Sequence, residues 1–74
     1  MNNNNDSFAA IDNLINLYSK GMISVSECHY RISDIIGQYT WFISDPEIKN
    51  KAYTVLYKRY YIRMNKAINS MERR

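Results

Sequence analysis

Apolar residues recur every three or four positions along most of the chain, the period of an amphipathic helix rather than the alternation of a strand. Phe8, Ile11, Leu14, Ile15 and Tyr18 share one face and predict a first helix over residues 7–20. Asp6 or Ser7 is its expected N-cap, because a side-chain oxygen there accepts an orphan backbone N–H. Lys20 and Gly21 supply the stop, a cation beside the negative helix end and then a residue that tolerates the left-handed conformation. Residues 1–6, mostly asparagine, have nothing to bury and read as a disordered polar leader.

A second helix is predicted over residues 25–43. Ser24 and Glu27 form an S-x-x-E capping box, with Ile23 and Cys28 at the two positions of a hydrophobic staple. Cys28, Ile32, Ile35, Tyr39 and Phe42 make its apolar stripe, widened by Ile36, Trp41 and Ile43. Gly37 lies inside this helix at a cost of about 1 kcal/mol relative to alanine, which points to close packing or a slight bend. Asp45, Pro46 and Glu47 have the residue types that cap and open a third helix, predicted over residues 46–72 without a further Gly or Pro. The expected fold is all-α: a three-helix bundle in which an N-terminal helical hairpin is followed by a long C-terminal helix projecting beyond it.

Helix three carries two apolar stripes where a three-helix monomer needs one. Ile48, Ala52, Val55 and Ile62 lie on one side; Tyr53, Tyr57, Tyr60, Met64, Ala67 and Met71 form a heptad-like row on another, with Leu56 between them. Either helices one and two cover a single broad face, or the tyrosine–methionine row is left for another chain. The second reading is preferred, since tyrosine and methionine combine large contact area with a polar end or an adaptable shape. Tyr53, Tyr57, Tyr60, Met64 and Met71 are therefore the candidate partner-binding residues. A second copy is one candidate partner, because a small core gains stability on dimerising.

Composition narrows the class of function. At 74 residues the chain has one small core, and 46% apolar content excludes general disorder. One cysteine cannot form an intramolecular disulfide, and one cysteine with one histidine cannot make a four-ligand zinc site, so no metal or cofactor is expected. No apolar run reaches the ~20 residues of a membrane span, and Met1 to Asn5 lack the charged start of a signal peptide. A cytoplasmic location with no membrane contact is the expectation. Half of the residues are Phe, Tyr, Met, Ile, Asn or Lys, types with AT-rich codons, a bias common among bacteriophages and low-GC bacteria.

Charge divides unevenly. Residues 1–44 carry a net of −2 and residues 45–74 a net of +5, with Lys58, Arg59, Arg63 and Lys66 interleaved among tyrosines. Those four are candidate contacts for phosphates or for an acidic partner. No zinc-finger spacing or RNP-type signature accompanies them. Ser26, His29, Ser33 and Asp34 offer the residue types of a catalytic triad but crowd onto two turns of one helix. A triad needs side chains converging from separate elements, so no catalytic residues are assigned and an enzyme is not expected.

The run I-x-x-L-x-x-L-x-x-x-G-x-I-S-x-x-E, from Ile11 through Leu14, Leu17, Gly21, Ile23 and Ser24 to Glu27, continues to Ile32. Within residues 11–36, about a third of the chain, it resembles the short SHOCT-type hairpin found at the ends of many bacterial proteins. It departs from that pattern at Cys28, where an aromatic is usual, and in the appended third helix. The resemblance implies an assembly or interaction hairpin with no catalytic residues. The expectation is a small regulator or inhibitor acting through protein–protein binding by helix three, as a phage or mobile-element accessory protein. A nucleic-acid-binding regulator using the basic helix is the alternative.

Overall fold

A computed structural model describes residues 3–72, with side chains from Asp6 onward. Three helices account for the regular structure: α1 over Asn3–Ser19, α2 over Val25–Thr40 and α3 over Pro46–Glu72. They pack as a three-helix bundle with no strand among the described residues. At 27 residues α3 is about 40 Å long against about 25 Å for α1, so it sets the long dimension of 44 Å.

The connections follow their local chemistry. Gly21, at φ +77°, closes α1: its N–H donates to the Tyr18 carbonyl, and the Met22 N–H donates to the Leu17 carbonyl. This pair of bonds is a Schellman cap, and it requires the left-handed residue that only glycine adopts freely. Ser24 opens α2 by accepting from the Glu27 N–H at 3.1 Å. Asp45 opens α3 the same way, its Oδ1 accepting from the Glu47 N–H at 2.9 Å ahead of Pro46.

Two boundaries differ from the sequence reading. The helix of residues 7–20 begins earlier, at Asn3, so residues 3–6 of the expected leader are helical, while Met1 and Asn2 lie outside the described residues. Once the apolar face of α1 is docked, adding a turn forms backbone bonds without a new nucleation cost. Ser7 is consequently a buried residue within the helix and not its cap. The helix of residues 25–43 stops at Thr40, leaving Trp41, Phe42 and Ile43 in the connection. The buried Thr40 hydroxyl donates to the Ile36 carbonyl at 2.7 Å, and the chain must then straighten ahead of Pro46.

Each helix contributes a ridge to one core: Ile11, Leu14 and Ile15 from α1, Cys28, Ile32 and Ile36 from α2, and Leu56, Tyr60 and Met64 from α3. Ile35, Tyr39 and Ile23 pack partly buried at its edge. The buried line on α3 runs along Leu56, the residue between the two sequence stripes, because that is the side on which α1 and α2 meet. α1 lies along both other helices, whereas α2 and α3 touch over a shorter stretch. Gly37 is not a packing necessity, since a Cβ built there meets no atom within 4 Å. Gly37→Ala should raise stability by about 0.5–1 kcal/mol, read as a higher urea midpoint at unchanged m-value; a loss of stability would mean that the helix bends at this point.

Candidate functional site

The shorter α2–α3 contact leaves a groove on the side of α3 away from α1. It is an open hollow of about 770 Å³. Its floor is a tyrosine ladder on successive turns of α3: Tyr53 and Tyr57 have ring centroids 5.2 Å apart, and Tyr57 and Tyr61 6.2 Å apart, both pairs tilted by roughly a third of a right angle. Ile62 completes the apolar surface. Asn50, Thr54, Lys58 and Asn65 form a polar rim, and His29 stands on the α2 wall. Lys58 is the single permanently charged residue lining the groove.

Two hydrogen-bond contacts tie α3 to α2 at the groove, one of them through the ladder. The Tyr57 hydroxyl donates to Ser33 Oγ at 3.2 Å, which ties the central ring to α2. His29 Nδ1 lies 3.3 Å from the Tyr60 hydroxyl, so the polar end of this buried ring is satisfied at the groove wall. Burial, followed by nearby ionisable groups, raises the Tyr60 hydroxyl above its ordinary range and keeps it neutral. The Cys28 thiol, also raised by burial, sits in the core with Sγ 3.7 Å from the Leu14 carbonyl and behaves as a small apolar side chain.

The structure divides the candidate partner-binding residues. Tyr60 and Met64, only 4% and 5% exposed, belong to the intramolecular core and cannot anchor another chain. Tyr53 and Tyr57 line the groove, while Met71 is half-buried in the last turn of α3. The reverse correction applies to the opposite stripe, where Ile48, Val55 and Ile62 are each about half exposed. Tyr61 is the groove residue that the reading as two stripes left out, and Ile62, placed there on the opposite stripe, lines the groove beside it. A row at Asn50, Thr54, Tyr57, Tyr61 and Asn65 has helical spacing, but three of its members are polar and hide it from an apolar pattern.

The four candidate cations also part company. Arg59 donates through Nε and Nη2 to the two oxygens of Asp12, at 3.3 and 2.8 Å, and its guanidinium stacks 4.9 Å from the Phe8 ring. Hydrogen bonding to Asp12 raises its pKa further and holds it in the cationic form. Arg63 lies 3.8 Å from the same carboxylate and joins Lys66 beside a polar hollow on the α1 side. Lys58 faces the groove instead. The four therefore do not share one face: Lys58 borders the groove, whereas Arg59, Arg63 and Lys66 lie toward α1.

The triad residue types are likewise occupied separately: His29 with Tyr60, Ser33 with Tyr57, and Asp34 accepting from Gln38 Nε2 at 3.1 Å. Among the described residues no three His, Cys, Asp or Glu side chains gather as a metal site. No helix of the described residues is long and apolar enough to cross a membrane. No protein-family model matches the chain, and no curated protein or solved structure is significantly similar to it.

Proposed function

We propose that this chain is a small non-enzymatic binding protein that regulates or inhibits another protein by engaging it through the α2–α3 groove. The observation that carries the reading is the tyrosine ladder. A large aromatic surface is held rigid by a bond to Ser33, left open to solvent, and bordered by amides, a hydroxyl and one cation. Aromatic centres with polar rims are the anatomy of protein interfaces, where tyrosine anchors supply most of the affinity. Tyr61 at 55% exposure and Ile62 at 48% are the free parts of that surface. The likeness of residues 11–36 to an interaction hairpin points the same way.

The test is cross-linking from the groove in extracts of the source cell. A photoreactive residue at Asn65 should capture a discrete protein, and Tyr61→Ala should weaken that capture by ten-fold or more, equivalent to an anchor of about 2 kcal/mol. Met22→Ala, on an exposed side chain of the α1–α2 connection, should leave it unchanged. Capture that vanishes on nuclease treatment, or that ignores Tyr61, would overturn the reading.

A further inference from the structure

We infer that the occupant of the groove is an amphipathic helix from another protein whose flank carries carboxylates. This rests on the protein-binding reading and specifies the partner's chemistry. The first argument is length and section. Lining residues on α3 run from Asn50 to Asn65, a rise of about 22 Å at 1.5 Å per residue, or four turns of helix. A volume of 770 Å³ over that length leaves a cross-section of about 35 Å², a little under half that of a helix about 10 Å across with its side chains. One face of a helix fits there, while a whole helix does not.

The second argument is pitch. Tyr53, Tyr57 and Tyr61 stand about 6 Å apart along α3, which sets one ring on each turn. Side chains on one face of a partner helix recur at nearly the same interval, so a row of them runs in step with the ridge of rings. An extended polyproline segment repeats only every ~9 Å and falls out of step within two residues of the ladder. Among the described residues there is also no sheet edge to which a strand could add.

The third argument is charge. Lys58 lines the groove, and Lys51 lies two turns before it on the same side of α3, both exposed. No carboxylate lines the groove, and residues 45–74 carry a net of +5. A helix approaching this surface therefore finds cations on its outer lip and nothing to repel an acidic side chain. A second copy of this chain is the poorer occupant. Two grooves laid face to face with their α3 helices antiparallel set each Lys58 on the same flank as its equivalent, with no acid between them.

Two synthetic 18-residue helical peptides with one shared leucine stripe, flanked by glutamates in one and by lysines in the other, serve as probes. Fluorescence anisotropy against the full chain should show the glutamate peptide binding about ten-fold tighter at low salt, with the gap narrowing as salt rises. Lys51→Glu/Lys58→Glu should reverse the preference, and because both side chains are exposed the circular dichroism spectrum should not change. Equal binding of the two peptides, or preference for the lysine one, would overturn the acidic flank while leaving a protein-binding groove intact. A concentration-dependent dimer abolished by Tyr61→Ala, with neither peptide bound, would give the groove to a second copy and overturn the inference alone. Failure of both peptides with no self-association, or their displacement by single-stranded nucleic acid, would overturn the inference and the protein-binding reading together.

Discussion

Replacing Ile32 with alanine should lower the melting temperature by roughly 10–30 °C. The side chain is fully buried at the centre of the α2 ridge, flanked along the helix by Cys28 and Ile36 and facing ridges from α1 and α3. Removing three buried carbons costs about 2–5 kcal/mol, the lost transfer energy plus the cavity left behind. A chain of 74 residues has roughly 4–11 kcal/mol to lose, so a single cavity removes a large fraction of its stability. Each kcal/mol moves the midpoint of so small a domain by roughly 4–8 °C, which sets the size of the expected shift. Ile48→Ala is the matched control: that residue is 56% exposed, and the change should stay within about 0.5 kcal/mol. Similar losses at both positions, by thermal circular dichroism, would mean that the core does not run through the α2 ridge.

The contrast between these two isoleucines marks where the sequence could be read and where it could not. The end of α1 and the starts of α2 and α3 were legible because they depend on neighbours in the chain, whereas the start of α1 and the end of α2 were not. Ser24 with Glu27, Gly21 after Lys20, and Asp45 before Pro46 each act within four residues, and each makes the expected bond or turn. The burial of Cys28 and Ile32 was legible for a related reason: α2 has one strong apolar stripe, so only one face can turn inward. Helix α3 has apolar residues most of the way round, and its own periodicity does not say which part α1 and α2 will cover. That choice follows from how the hairpin sits on it, a matter of contacts such as Arg59 with Asp12, 47 positions apart in the chain. The covered arc centres near Leu56, Tyr60 and Met64, which splits the tyrosine–methionine row between core and groove. Trp41 and Phe42 mislead for another reason. Their apolarity extends the stripe of α2, yet the chain needs those residues to turn toward α3, and both remain more than half exposed.

The split within α3 gives the second large effect. Met64→Glu should unfold the protein at neutral pH, whereas Ile62→Glu, only two positions away, should leave the fold intact and abolish binding. Met64 is buried against the α1 and α2 ridges, and among the described residues no cation ends in that core to meet a carboxylate. An unpaired buried charge costs several kcal/mol, on the order of everything a domain this small has. Burial raises the pKa of a carboxyl, so the folded state favours its protonated form. The deficit should therefore shrink as pH falls toward the ordinary carboxylate range and grow as pH rises above it. Ile62 points into the groove at 48% exposure, one turn after Lys58, where a glutamate stays hydrated and can pair with that lysine at the i, i+4 spacing. Its stability should move by no more than about 0.5 kcal/mol. The acidic peptide should nevertheless lose its site, because the new carboxylate neutralises the lip and repels the partner's flank. Urea midpoints of the two variants, measured at pH 5 and pH 7.5 alongside peptide titrations, separate the outcomes. A folded Met64→Glu beside an unfolded Ile62→Glu would mean that α3 is turned by about half a rotation, with Ile62 in the core and Met64 in the groove, since two residues along a helix rotate a side chain by about 200°.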